Sequence, residues 1–196
     1  MRSSLITRLL LMTMPVPPLN ASGSDLQEEL LLADFSESSV DLRWYVVNDN
    51  VMGGQSTGEF SLEEDELLFT GDTNTNGGGF SSIRTGPMRL DLSTHTGIRL
   101  YLQGDGRRYT WRLTTSARHR GRQVTYWAHF ETRNGEWLPV DIPFSDFVPR
   151  FRGFRLDGPV LDSSQITSMG LMIYDKQDGP FELRISSVRA YVQEAQ

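Results

Sequence analysis

Val46-Val47-Asn48-Asp49-Asn50-Val51-Met52-Gly53-Gly54-Gln55-Ser56-Thr57-Gly58-Glu59-Phe60 is the stretch on which the reading of the fold turns. The apolar run Trp44 to Val47 that enters it has the character of a buried strand. It breaks at Asn48-Asp49-Asn50, whose side chains bond nearby backbone and tolerate turn geometry. Gly53 and Gly54 suit a positive φ or a backbone packed very close to something else. Thr57, Glu59 and Ser61 then alternate with Gly58, Phe60 and Leu62, the period of a half-buried strand. The pattern is strand, structured corner, strand. The corner holds more polar and glycine residues than a two-residue hairpin needs. It is either a shaped turn that fixes two strands in register, or a polar loop that presents Asn48, Asp49 and Ser56 to a partner.

The same grammar extends outward in both directions. Asp25 to Glu29 reads as a short helical lead-in capped by Ser24, and Leu30 to Phe35 as a strand. Leu67 to Thr70 is a short strand that ends in a loop, Gly71 to Gly79, before Phe80 to Arg84 resumes extended structure. Ile98, Leu100 and Leu102 alternate with Arg99, Tyr101 and Gln103, and Gly104-Asp105-Gly106 marks a turn. Tyr109, Trp111 and Leu113 share one parity, as do Val124, Tyr126, Ala128 and Phe130. Trp137 to Ile142 is a strand closed by Pro143, and Met169, Leu171 and Ile173 alternate in another. Phe181 to Ile185 reads as the penultimate strand and Val188 to Val192 as the last. Many short strands between Gly, Asn and Asp turns, with almost no helical period, predict an all-β antiparallel sandwich or jelly roll. Residues 25–196 are expected to form one domain, with Trp44 and Trp111 in its core.

Composition narrows the function. The chain is 38% hydrophobic and 22% charged, with a net charge of −6. That balance argues against a nucleic-acid partner, which needs a basic surface to neutralise phosphates. There is no cysteine, which excludes disulfides, thiolate metal sites and a cysteine nucleophile. No apolar run approaches the ~20 residues of a membrane helix. Residues 1–24 lack acidic residues, and Arg2 and Arg8 precede a short apolar run, Leu9 to Met14. This is the outline of a weak export signal, with a mitochondrial-type leader or an early start codon as alternatives. Compartment therefore stays open between exported, cytoplasmic and matrix.

Few residues combine into chemistry. Asp72-Thr73-Asn74-Thr75-Asn76-Gly77 matches the opening of a calcium-binding EF-hand loop, but the position of the bidentate acid is Ile83 and the flanks read as strands. An EF-hand is rejected, leaving a calcium ion on Asp72 and loop carbonyls as a minor alternative. His95, His119 and His129 show no zinc spacing. Asp49, Asp105 and Asp175 sit at turns, where aspartate is most often a turn former, so a hydrolase ranks last. No cofactor motif is present: Gly77-Gly78-Gly79 has neither a following helix nor a Gly-Lys-Ser/Thr.

The strand faces carry more. If Trp111, Tyr126, Phe130, Leu100 and Ile173 face the core, then Tyr101, Arg112, Trp127, His129, Met172 and Tyr174 have the opposite parity. A second sheet face of aromatics and Arg suits a protein partner, or sugar rings by stacking; the alternative is that a loop or the N-terminal segment covers it. Asn48, Asp49, Ser56, Asn76, Arg84, Asp105 and Arg107 on the loops, with Tyr101, Arg112, Trp127, His129 and Tyr174 on that face, are the candidate partner-contacting residues. Arg84 is expected to pair with Asp49 or Asp105, because an Arg fork matches a carboxylate.

Several separated motifs occur in order: Trp44-x-x-x-Asn48-Asp49-x-Val51-Met52-Gly53-Gly54-x-Ser56, Phe69-x-Gly71, Gly78-Gly79-Phe80-x-Ser82-x-Arg84, and Gly104-Asp105-Gly106-Arg107-x-Tyr109. They continue with Trp137-x-x-Val140, Phe151-Arg152-Gly153, and Gly170-Leu171-Met172-Ile173-x-Asp175-x-Gln177-x-Gly179-Pro180-Phe181. The ordered set, over roughly residues 30–192, resembles the complex I intermediate-associated protein 30 family. The resemblance implies a galactose-binding-like jelly roll and, in mitochondrial members, a role in assembling NADH:ubiquinone oxidoreductase. It implies an assembly chaperone with no established catalytic centre, whose partners are complex I subunits or assembly intermediates. Export would be at odds with work on the cytoplasmic or matrix arm of that complex. The second expectation is a lectin-like carbohydrate-binding module, motivated by Trp127, Tyr101 and Arg112.

Overall fold

The computed structural model describes residues 29–193. The leader and most of the helical lead-in expected before Leu30 lie outside the described residues. The strands are β1 (Leu30–Ala33), β2 (Tyr45–Asn48), β3 (Thr57–Glu63), β4 (Glu66–Thr73), β5 (Ser81–Arg84), β6 (Gly97–Gly104) and β7 (Arg108–His119). They continue as β8 (Arg122–Glu131), β9 (Trp137–Pro143), β10 (Val148–Phe151), β11 (Phe154–Arg155), β12 (Ile166–Ile173) and β13 (Gly179–Tyr191). One sheet has the order β3-β4-β13-β6-β9, with β1 beside the distal half of β13. The other runs β11-β10-β8-β7-β12-β5-β2. All these strand pairings are antiparallel, and short turns join only β3 to β4, β7 to β8 and β10 to β11; the other neighbours come from distant parts of the chain.

The core lies between the sheets and follows the alternation in the sequence. Leu67 and Phe69 of β4, Ile98, Leu100 and Leu102 of β6, and Leu183 and Ile185 of β13 come from the first sheet. Ile83, Tyr109, Trp111, Leu113, Tyr126, Leu171 and Ile173 meet them from the second. Burying each such side chain contributes about 1.5–3 kcal/mol. Trp111 is fully buried, as expected; Trp44, just before β2, is half-buried against the same cluster.

Two local readings change. The expected penultimate and last strands are one strand, β13, with a register shift between Ile185 and Ser187. A bulge adds one residue and flips the parity, so Phe181, Leu183 and Ile185 face the core together with Val188 and Ala190. Beyond β9, in a segment to which the sequence assigns no strand, β10 and β11 form a hairpin pairing Phe151 with Phe154. Arg152 (φ 47°) and Gly153 (φ 84°) turn it, both left-handed as a two-residue type I′ turn demands.

Candidate binding groove and the loops that frame it

The corner that opened the sequence closes around Asp49. Residues Asp49–Met52 make one 3₁₀ turn, and Gly53 leaves it at φ 88°. The Asp49 carboxylate is fully buried and accepts from Ser56 N at 2.9 Å, Ser56 Oγ at 2.6 Å, Gly79 N at 2.6 Å and Phe80 N at 3.3 Å. Burial alone would raise its pKa, yet the bonds from Ser56, Gly79 and Phe80 outweigh it and hold the carboxyl below its ordinary value. A Cβ at Gly54 would stand 2.2 Å from Asp49 Cγ, and one at Gly78 2.3 Å from Asp49 Oδ2. So both glycines are there to make room for the carboxylate. The expectation of Asp49 and Ser56 as presented groups is corrected: they point inward and tie the corner to the loop before β5. Gly54→Ala should cost about 1–3 kcal/mol in urea unfolding, as an overpacking substitution does.

The expected Arg84 pair does not form, because Arg84 lies on the outer face of β5 while both aspartates bond inside loops. The carboxylate clasp belongs to Arg107 instead. Its Nε and Nη2 meet Asp175 Oδ2 at 2.9 Å and Oδ1 at 2.8 Å. The same guanidinium donates to Thr73 Oγ1 and to the carbonyls of Gln177, Gly179 and Pro180, all within 3.0 Å. One side chain thus ties the end of β4 and the β6–β7 turn to the loop entering β13. Asp105 accepts from Tyr109 Oη at 3.0 Å and Glu182 N at 2.9 Å, holding its own turn. Asn48 bridges Gly58 O and Ser81 Oγ at 3.2 and 2.6 Å, while Asn76 is exposed at the tip of its loop.

On the outer face of the seven-stranded sheet the register aligns Tyr45, Arg84, Gly170, Arg112, Trp127 and Val148 in one row across β2, β5, β12, β7, β8 and β10. The neighbouring row is Val47, Ser82, Met172, Thr110 and His129. Two hollows of about 470 and 570 Å³ lie along these rows and share Arg84, Arg112, Gln123 and Thr125, so they form one groove. Val51, Met52, Phe80, Arg152 and Tyr174 wall one end; Thr114, Ser116 and Ser168 line the other. Together they have room for several side chains. Gly170 sets the centre: a Cβ there would come within 2.8 Å of the Ile83 carbonyl and 3.3 Å of Arg84 Cγ.

Of the sheet-face candidates, the structure brings Arg112, Trp127 and Tyr174 together with Arg84, and leaves out two. Tyr101 lies on β6 of the other sheet, stacked on Trp137 at 5.4 Å between centroids. His129 is exposed one row over, with Nδ1 2.8 Å from Thr110 Oγ1 and its pKa lowered by burial and by Arg108 and Arg150. Trp127 is only 6% exposed. Arg112 from β7 and Arg150 from β10 lie over its ring at 5.3 and 5.2 Å, and Tyr174 meets it edge-on. Arg150, Gln123 and Thr125 were missed. The Arg150 signal was there: it alternates with Arg152 in a segment where Pro149 hides the strand.

The architecture is an all-β antiparallel jelly roll. The family 11 carbohydrate-binding module of a Clostridium thermocellum cellulosomal cellulase is similar, with a TM-score of 0.62 at 16% identity over 87% of this chain and 98% of that one. A domain of an agarase is similar at a TM-score of 0.63 and 14% identity, over 86% of this chain and 25% of that one. Such identities speak for the fold alone. The chain belongs to the complex I intermediate-associated protein 30 family, whose model matches residues 33–185. The mouse mitochondrial complex I intermediate-associated protein 30 is 29% identical over 88% of this chain, which spans 61% of that protein. An uncharacterised Schizosaccharomyces pombe protein is 32% identical over 74% of this chain and 75% of its own length.

Proposed function

We propose that this chain is a non-catalytic binding module, one jelly-roll unit over residues 25–196, that grips a protein partner in the groove of the seven-stranded sheet. The partner is a subunit or assembly intermediate of NADH:ubiquinone oxidoreductase. Membership of the assembly-factor family supports the partner class, and the groove is the observation that carries the reading. Asp49, Asp105 and Asp175, the carboxylates nearest to a catalytic reading, are each committed to internal hydrogen bonds. That supports binding rather than hydrolysis. Sugar stacking finds less support, because the ring of Trp127 is already taken by two guanidiniums and Tyr174.

The test is affinity capture from native membranes and the soluble fraction, with the full chain as bait and complex I subunits quantified. Gln123→Trp is the blocking variant: Gln123 is exposed and borders both hollows, so the indole obstructs the groove without entering the core. Wild type should enrich complex I subunits, and Gln123→Trp should lose that enrichment with an unchanged melting temperature. Equal capture by both would sink the groove as the partner site.

A further inference from the structure

The groove concentrates positive charge that no carboxylate answers. In a chain of net charge −6, Arg84 and Arg112 line both hollows and Arg152 one of them, and among the described residues no Asp or Glu lines either. The Nε atoms of Arg84, Arg112 and Arg150, and Trp127 Nε1, are buried without a hydrogen-bond partner. Elsewhere the protein shows what it does with an internal guanidinium: Arg107 has every arm satisfied around Asp175. Arg112 has no such partner, although it is only 9% exposed. It stands across Gly170 from Arg84, like charge beside like charge. A buried ion without an acceptor is costly, and an incoming anion would relieve that cost.

We propose that this groove binds an acidic segment of a partner polypeptide, whose Asp or Glu carboxylates are gripped by the guanidiniums of Arg84 and Arg112. The inference rests on the groove being the partner site. Arg forks bind carboxylates in a bidentate way, and the Arg84 and Arg112 side chains both line the hollows that such a carboxylate would enter. Burial, then the charge of Arg84, pushes the Arg112 pKa down to about 9, so it is still charged at neutral pH and gains from an anion. A polypeptide fits better than an acidic sugar for two reasons. The flat face that a sugar would stack on is covered by Arg112 and Arg150. The groove also offers Val47, Val51, Met52 and Met172, aliphatic and thioether surface suited to apolar side chains beside the acids.

The experiment is calorimetric titration of the full chain with four probes. They are a capped dodecapeptide alternating Glu and Leu, its Gln/Leu counterpart, trigalacturonate and inorganic phosphate. The Glu peptide is expected to bind, to weaken as salt rises, and to raise the melting temperature. Arg112→Gln should weaken it on the order of thirtyfold, the cost of truncating one partner of a buried charge pair. The free Arg112→Gln protein should melt no lower than wild type, since it sheds an unpaired charge. Arg84→Gln, at a less buried position, carries the test if Arg112→Gln does not fold. Equal binding of the Gln peptide, or indifference to both Arg variants, overturns the proposal. So does saturation by trigalacturonate or phosphate with no effect of the Glu peptide. The capture assay separates this failure from that of the groove: if Gln123→Trp loses complex I subunits while Arg84→Gln/Arg112→Gln keeps them, the groove stands and the acidic ligand falls. If Gln123→Trp also keeps them, the groove itself falls.

Discussion

Arg107→Ala is expected to lower the free energy of unfolding by about 3–5 kcal/mol, because it strands Asp175 in the interior. The side chain of Asp175 is 1% exposed and that of Arg107 12%, so solvent offers little replacement. The substitution also removes donors from three carbonyls and Thr73, which together fix the loop into β13. Arg107→Lys keeps the charge without the fork and should recover only part of the loss. Such a cost is a large share of a typical domain's stability. The measurement is urea denaturation at neutral pH. A change within 1 kcal/mol for Arg107→Ala would mean that the clasp is not what holds these loops.

Asp49→Ala should cost about 3–5 kcal/mol, since it leaves the donors of Ser56, Gly79 and Phe80 facing an emptied buried site. Asp49→Asn separates charge from shape, because its amide turns a donor towards other donors. The pH dependence has a defined sign. With its folded pKa held below the ordinary 3.8, Asp49 contributes stability that is fully present above that value. The contribution is lost as pH falls through the lower, folded value. Acid titration of the wild type should therefore show an extra loss of stability below about pH 4 that Asp49→Asn lacks. Parallel pH profiles would remove Asp49 from the acid response.

Much of this was legible in the residues. Alternation in β6, β7, β8 and β12 named the core side chains, and the corner at Gly53-Gly54 announced a close packing that proved to be a carboxylate. Parity, though, says only whether a side chain points in or out. It does not say from which of two sheets, and so Tyr101 was grouped with a face it does not share. Charges were visible without their topology: Arg84 was matched to aspartates that bond inside loops, while the clasp went to Arg107, whose partner Asp175 lies 68 residues away. The end of the chain misled because a bulge flips parity as a turn does, so one strand read as two. The β10–β11 hairpin was hidden by Pro149 and by a turn led by Arg152 in place of Asn or Asp.

The borders of the two sheets have a consequence of their own. β9 carries Pro139 and Pro143, β11 is two residues long, β2 ends after four in the 3₁₀ turn, and β3 bears Glu59 and Glu63. Prolines, brevity and charge each spoil a border as a template for another chain. Recognition by strand addition, in which main-chain bonds supply the affinity, is thus closed along these borders. The same blunting hinders copies of the protein from zipping together along these strands at high concentration. A polypeptide that docks along these four strands must be read through its side chains, arriving already folded or with its own backbone turned to water.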